Sequence, residues 1–267
     1  MKILVTGSEG YIGQHLVKKL GIVDTLDING NPIYKLDIRN KFNLDEEYDV
    51  VIHLAALVQV GESVKNPYSY YNTNINGTIN VLQGIKTKHF ILASTGAAES
   101  LNSPYALSKK ACEELVIQFA KQKNIDYTIF RFYNVIGSSG FKPTNPDGLF
   151  YALIRAIETG EFDIYGSDYN TKDGTAVRDY VHVNQICDAI VKAVSQPSNS
   201  IECLGTGCGH TVLEIVDAFK EANYVNFNVN MKDRRAGDVE RTVLDNPSSY
   251  IDNSYKLIDL LALKNYK

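Results

Sequence analysis

Tyr105 and Lys109 stand four residues apart in the stretch SPYALSKKACEEL, residues 103–115. On a helix, that spacing puts both side chains on one face. A phenol beside an ammonium can act as an acid/base couple, because a nearby positive charge favours the tyrosinate and brings proton transfer within reach of neutral pH. Lys110 projects to another side of the same helix and reads as solvent-facing. Upstream, the apolar run HFILAST ends at Thr95, a hydroxyl only ten positions before Tyr105. In isolation a Tyr-x-x-x-Lys spacing is more often a surface tyrosine that follows a proline, here Pro104, into a helix. The surrounding elements have to decide between these readings.

Short runs rich in β-branched and aromatic residues read as strands: KILVTG (2–7), DVVIHLA (49–55), HFILAST (89–95) and DYTIFRFYNV (126–135). Between them, YIGQHLVKKL (11–20), SYYNTNINGTINVLQGI (69–85) and YALSKKACEELVIQFAKQ (105–122) carry apolar residues at helical spacing. Near-continuous apolar strands alternating with helices predict a parallel sheet covered on both faces. Past residue 138 the character shifts, and SSGFKPTNPDG (138–148) reads as a loop crossing into a second region. VRDYVHVNQICDAIVKAV (177–194) is expected to form a strand and a helix that return to the first sheet. The expected division is a domain of residues 1–138 plus about 177–200, and a smaller mixed α/β lobe of 139–176 with 201–267.

The chain has 267 residues, 44% hydrophobic and 22% charged, enough for one large core or a large domain with a smaller partner. Its net charge of −4 and the lack of a basic block give no support to nucleic-acid or membrane-surface binding. No apolar stretch approaches the roughly 20 residues of a membrane helix. Cys112, Cys187, Cys203 and Cys208 are scattered without metal-ligand or disulfide spacing. They read as free thiols in a reducing cytoplasm, and no metal is expected.

VTGSEGYIGQHLV places Gly7, Gly10 and Gly13 three residues apart where the first strand meets the first helix. Gly7 permits a tight turn, Gly10 lets a pyrophosphate approach the backbone, and Gly13 lets helix and strand pack closely. The helix N-terminus then offers amide donors and the positive end of its dipole to the phosphates. Asp27, twenty residues after Gly7, ends a short apolar stretch where an acid hydrogen-bonds the adenosine ribose. The same acid repels a 2′-phosphate, and no arginine follows it closely, so NAD is favoured over NADP.

With the glycine loop, Asp27, Thr95, Tyr105 and Lys109 together, the sequence resembles the extended short-chain dehydrogenase/reductases. Within them it most resembles the UDP-glucose (UDP-galactose) 4-epimerases, over nearly the whole chain. The resemblance implies a Rossmann-type doubly wound parallel sheet with a smaller mixed α/β C-terminal substrate lobe. LDIRN (36–40) is similar to the adenine-contacting segment, with Asp37 and Ile38 in the contacting positions. VIHLAALVQVGESVKNPYSYYNTNINGT (51–78) follows the family's loop and helix after the fourth strand. The implied cofactor set is Gly7, Gly10, Tyr11, Ile12, Gly13, Asp27, Asp37, Ile38, Leu54, Ala55, Ala56, Tyr105, Lys109 and Tyr133. RFYNVIG (131–137) carries Asn134 where the family binds sugar-nucleotide phosphates. IYGSDYNTKDGTAVRDYVHV (164–183) is the most specific match, and RRAGDV (234–239) resembles the late nucleotide-binding signature. The implied substrate set is Thr95, Tyr105, Asn134, Leu149, Tyr165, Arg178, Arg235 and Asp238, with Arg178, Arg235 and Asp238 gripping the diphosphate and ribose of a UDP-sugar. An arginine fork suits a diphosphate, and a carboxylate suits vicinal hydroxyls.

The chemistry implied by the resemblance is inversion at C4 of a UDP-hexose, UDP-glucose or UDP-galactose and the N-acetyl forms included. Tyr105 takes the 4-hydroxyl proton while the C4 hydride moves to NAD, Thr95 bonds the same oxygen, and Lys109 holds the nicotinamide ribose. The resulting 4-keto sugar turns over and receives the hydride on its other face. A homodimer is implied as well. The chain departs from the pattern at several points. Its Thr95–Tyr105 connection is much shorter, Val58 replaces a lysine, Thr73 and Gly148 replace asparagines, and Thr242 lies near the position of a bulky tyrosine. Gly96 and Ala97 after Thr95 lack the acid pair of the related 4,6-dehydratases. Competing readings are another sugar-nucleotide reductase or decarboxylase, or a catalytically weak NAD- or sugar-nucleotide-binding protein.

Overall fold

The computed structural model of the protein describes residues 1–235 and 238–263. The chain forms two compact units, Met1–Phe132 with Cys187–Cys203, and Tyr133–Ile186 with Leu204–Lys267.

In the first unit β1 (Ile3–Thr6), α1 (Tyr11–Leu20), β2 (Asp24–Asp27), β3 (Tyr34–Lys35) and β4 (Glu47–His53) follow one another. Then come α2 (Val60–Lys65), α3 (Pro67–Tyr70), a π-helical turn (Tyr71–Asn76) and α4 (Gly77–Gly84). β5 (Lys86–Thr95), a 3-10 turn (Gly96–Glu99), α5 (Pro104–Lys123) and β6 (Asp126–Phe132) complete this part. The chain continues through β7 (Asn134–Ile136), α6 (Leu149–Thr159), β8 (Glu161–Tyr165), β9 (Val177–His182), α7 (Val183–Ser195) and β10 (Ile201–Leu204). Last are β11 (Gly209–Thr211), α8 (Val212–Asn223), β12 (Asn228–Lys232), β13 (Arg241–Thr242) and α9 (Leu257–Leu261).

The seven-stranded sheet has the order β10-β6-β5-β4-β1-β2-β3. The pairings from β6 through β3 are parallel. Leu4, Leu26, Val51, Phe90, Leu92 and Ile129 project to one face, where Val81, Leu82 and Ile85 near α4 and Cys112 and Val116 of α5 cover them. The pleat turns the alternate residues Val5, Ile52, Ile91 and Phe130 to the opposite face, and these are buried as well. Each such side chain contributes about 1.5–3 kcal/mol by leaving water. This is the doubly wound, Rossmann-type sheet expected from the sequence. The register aligns Thr6 with Leu26 on one side and His53 on the other, so the segments leaving these strands emerge at one sheet edge. Functional residues of doubly wound sheets sit at that carboxyl edge.

The second unit holds β7, β9, β11 and β13 in one sheet and pairs β8 with β12 in another. Ile136, Phe150, Leu153, Phe162, Ile215 and Phe219 are part of its own core.

Three local expectations are corrected. The apolar run 126–135 is two strands, broken at Tyr133, and its second part pairs with β9 in the second unit. β9 does not return to the seven-stranded sheet; β10 does, and occupies its edge beside β6. The 69–85 segment is interrupted by the π turn, where a buried Asn74 side chain bonds other segments instead of facing solvent.

Candidate active site

The glycine loop is closed by backbone approach. Gly7 has φ +73°, and a Cβ there would lie 2.6 Å from the Ala55 nitrogen. A Cβ on Gly13 would lie 2.1 Å from the Gly7 carbonyl oxygen, so α1 packs on the loop only with glycine there. Gly10 is the N-cap of α1 and supplies no side-chain cap to its first turn. Tyr11 and Ile12, half-buried, begin that turn, and the Tyr11 ring meets His15 edge-on. Inside the loop, the buried Ser8 hydroxyl has no hydrogen-bond partner among the described residues. Asp27 is buried and accepts the Glu9 amide at 3.0 Å and the Asn29 amide at 2.9 Å, tying β2 to the loop.

Asp37 is paired with Arg39, whose Nε donates at 3.0 Å to both carboxylate oxygens. That hydrogen bond holds the Asp37 carboxyl below the usual carboxylate range. Ile38 is buried, packs over Gly77, and has its carbonyl held by the Asn80 amide at 2.8 Å. Leu54 and Ala55 leave β4 with their amides on the Thr6 carbonyl at 3.1 Å and the Thr6 hydroxyl at 3.4 Å. Ala56 follows, half-buried. One residue further, Asn74 clamps Leu57, accepting from its amide at 2.8 Å and donating to its carbonyl at 3.0 Å. The same amide group donates to Ser108 of α5 at 2.9 Å.

Thr95 ends β5 and caps the 3-10 turn by accepting the Ala97 amide at 3.3 Å. Its hydroxyl lies beside the Tyr105 phenol and draws its pKa down. Tyr105 is placed by its helix start: Ser103 caps α5 through the Ala106 amide at 3.1 Å, and Pro104 occupies the first turn. Tyr70 packs edge-on against the Tyr105 ring at a centroid distance of 6.4 Å. Lys109, one turn on, is 4% exposed and makes no hydrogen bond or ion pair with any described residue. Its charge reaches His53, which bridges the Thr6 hydroxyl at 2.7 Å and the Thr78 hydroxyl at 3.1 Å. Through His53 the Tyr/Lys couple and the glycine loop belong to one buried arrangement.

The electrostatics correct one expectation. Burial pushes the Tyr105 phenol up to about 12, Thr95 pulls it back only partly, and Lys109 is not among the groups that move it. Burial also lowers Lys109, opposed by Cys112 and Glu113. Desolvation outweighs the expected ammonium effect, and Tyr105 rests as a neutral phenol. Lys110 is not a free solvent-facing lysine: it is partly covered and pairs with Glu114 at 2.8 Å and Glu113 at 3.4 Å.

The second unit gathers part of the substrate set. Arg235 stacks over Tyr165 at 4.9 Å from the ring centroid and donates to Asp238 at 3.0 Å. Ala236 and Gly237 of the same motif lie outside the described residues. Arg178 donates to the carbonyls of Val177 at 2.9 Å and Glu240 at 3.3 Å, with no carboxylate partner among the described residues. Asn134 holds the Asp179 carbonyl at 3.1 Å. Tyr133, half-buried, donates its amide to the Leu204 carbonyl at 3.4 Å. Leu149 opens α6 and packs on the second core. Of the departures, Gly148 caps α6, Thr73 lies in the π turn, Thr242 pairs in register with Arg178, and Val58 is exposed.

Several side chains that build this arrangement were not singled out from the sequence: Asn74, His53, Tyr70, and the pair Glu113–Arg131. Their signal was polarity at positions whose helical or strand phase is buried, which becomes visible only once the strands are in register.

The cradle formed by Gly7, Gly10 and Gly13, the N-terminus of α1 without a side-chain cap, and the Ser8 hydroxyl and Lys109 ammonium, which have no partner among the described residues, fit a dinucleotide. Among the described residues no group of acids, histidines and cysteines is placed to hold a metal ion. Residues 3–203 match the model of the NAD dependent epimerase/dehydratase family. The chain is 32% identical to UDP-glucose 4-epimerase of Haemophilus influenzae, over 93% of this chain and 90% of that one. It superposes on the crystal structure of UDP-glucose 4-epimerase from Bifidobacterium longum in complex with NAD+ and UDP with a TM-score of 0.83, at 25% identity, covering 98% and 96% of the two chains. UDP-N-acetylglucosamine 4-epimerase from Methanobrevibacter ruminantium, in complex with UDP-N-acetylmuramic acid, gives 0.81 at 25% identity, covering 97% and 95%. The chain belongs to the NAD dependent epimerase/dehydratase family.

Proposed function

We propose that the chain is a NAD-dependent epimerase that inverts C4 of a UDP-hexose, interconverting UDP-glucose and UDP-galactose, with the N-acetyl sugars within its range. The observation that carries this reading is the buried Tyr105 beside Thr95, one turn before a buried Lys109 that has no hydrogen-bond or ion-pair partner among the described residues, and linked through His53 to a dinucleotide cradle. The named relatives, epimerases acting on glucose and N-acetylglucosamine nucleotides, support the same substrate class.

In this reading Gly7, Gly10, Tyr11, Ile12 and Gly13 receive the pyrophosphate, Asp27 the adenosine ribose, and Asp37 and Ile38 the adenine. Leu54, Ala55, Ala56 and Tyr133 complete the cofactor contacts. Lys109, whose ammonium has no hydrogen-bond or ion-pair partner among the described residues, binds the nicotinamide ribose. Bound NAD supplies a reversible hydride acceptor for C4 of the sugar and a positively charged ring. Tyr105 accepts the proton of the 4-hydroxyl and returns it after the 4-keto sugar has turned over. For that it must shed the proton that burial makes it keep, so its activation accompanies cofactor binding. Thr95 shares the reacting oxygen with Tyr105 and stabilises its charge. Arg178 and Arg235 bind the diphosphate, Asp238 the ribose hydroxyls, and Asn134, Leu149 and Tyr165 the rest of the nucleotide. The Arg235–Asp238 pair must open for this, exchanging one charged partner for another. The same reading includes a cytoplasmic homodimer, for which light scattering on the purified chain is the test. Among the described residues no helix is long and apolar enough to cross a membrane.

Incubating the purified protein with UDP-glucose, UDP-galactose and their N-acetyl analogues, with added NAD, tests the proposal. Interconversion of at least one pair is expected. Failure with all four overturns it.

A further inference from the structure

The connection between Thr95 and Tyr105 is short, and its shape is specific. It winds into the 3-10 turn Gly96–Glu99, continues through Leu101 with φ +51°, and reaches the Ser103 cap. A leucine in the left-handed region is strained, so something must hold the segment against relaxation. Among the described residues, the one side-chain hydrogen bond or ion pair from residues 96–102 to the rest of the unit is made by Glu99, which accepts from Arg131 Nη1 at 2.5 Å.

That arginine is a junction. Its Nε and Nη2 donate to the two oxygens of Glu113 at 2.8 and 2.7 Å. Glu113 is fully buried on α5, one turn beyond Lys109 and two beyond Tyr105, and also accepts the hydroxyl of Ser94, the neighbour of Thr95, at 2.6 Å. Lys110 faces Glu113 from the same helix, and the Cys203 thiol lies beside Arg131. Burial pushes Glu113 up, but the hydrogen bonds from Arg131 and Ser94 outweigh it and keep the carboxylate below its usual range. One guanidinium therefore ties together the end of β5, the short connection, the helix that bears the Tyr/Lys couple, and β6.

We propose that Glu99 is a positioning residue that acts through Arg131, holding the shortened connection so that Thr95, at its start, stays beside Tyr105, just past its end. Its effect on rate rests on the epimerase reading; the clamp itself is a property of the first unit. Glu99 is the end of the network to test, because its side chain is 60% exposed while Glu113 is completely buried. Removing one partner of a buried pair threatens the fold; removing an exposed one does not.

The experiment compares the full chain with Glu99→Gln, Glu99→Asp, Thr95→Ala and the Thr95→Ala/Glu99→Gln double variant. Small misplacements of a reacting group carry large rate costs, so Glu99→Gln is expected to lower kcat about tenfold with KM for the UDP-sugar and NAD affinity within about twofold. Glu99→Asp, which keeps the charge, recovers part of the loss. In the Thr95→Ala background Glu99→Gln adds less than about twofold, because the group it positions is gone. Amide hydrogen exchange, read without turnover, becomes faster over residues 96–101 in Glu99→Gln. Unchanged kcat, full additivity with Thr95→Ala, or unchanged exchange over 96–101 overturns the proposal. An inactive parent chain sinks the epimerase reading instead, while the exchange result still decides the clamp.

Discussion

Thr95 accepts the Ala97 amide at 3.3 Å and lies beside the Tyr105 phenol, drawing its pKa down, so one side chain both caps the turn after β5 and acts on the acid/base residue. Tyr105→Phe is expected to lower kcat by roughly a hundredfold to ten-thousandfold, the range of general acid–base catalysis, and to leave UDP-sugar binding nearly intact. Thr95→Val removes the hydroxyl that draws the phenol down, so the pH at which kcat rises moves upward. Steady-state rates across pH for both variants check this, and a Tyr105→Phe chain with full kcat contradicts it.

The buried Lys109 ammonium makes no hydrogen bond or ion pair with any described residue. Leaving such a charge desolvated costs stability, and a methionine of similar length removes that cost. Lys109→Met is expected to raise the stability of the NAD-free chain by roughly 1–3 kcal/mol while abolishing measurable NAD affinity. Urea unfolding of the stripped protein and a fluorescence titration with NAD provide the two readings. A variant less stable than the parent, with NAD affinity retained, is the opposite result.

Asn74 satisfies both backbone groups of Leu57 and reaches Ser108 on α5. Truncation to alanine leaves the part-buried Leu57 amide and carbonyl without their partner and the buried Ser108 hydroxyl without its donor. Asn74→Ala is expected to cost about 2–4 kcal/mol in urea unfolding, with NAD affinity falling because the segment after β4 loosens. An unchanged unfolding midpoint contradicts the clamp.

Burial pushes His53 down to about 3 and His89 down to about 4. The folded chain refuses protons that the unfolded chain accepts once the pH falls below the ordinary histidine value of 6.5. This stability is complete above that pH and is lost progressively as the pH falls toward 4 and then 3. Between pH 6.5 and 5, before most carboxylates titrate, the unfolding free energy is expected to fall by about 1 kcal/mol per pH unit for each histidine. A His53→Gln chain shows a shallower acid slope. A flat pH profile over that window contradicts the assignment.

The doubly wound sheet was legible because its strands are apolar on both faces and its helices carry a separate period. The glycine loop was legible for a steric reason: Gly7 and Gly13 stand where no Cβ fits. The break at Tyr133 was hidden, since Asp126–Phe132 and Asn134–Ile136 are one continuous β-forming run that pairs with two different sheets. The protonation of Tyr105 was misjudged because spacing reveals the lysine one turn away but not the desolvation that outweighs it. Asn74 and the Glu99–Arg131–Glu113 network were invisible for a related reason: each joins residues far apart in sequence, and only the register brings them together.

The central claim is that the hydrogen at C4 leaves the sugar and comes back within one enzyme. UDP-glucose carrying deuterium at C4, incubated with the NAD-loaded protein in ordinary water, tests it most directly by mass spectrometry of the UDP-galactose formed. Product with the deuterium retained at C4 is expected. Product that has lost its deuterium to water, or no product at all, would contradict it.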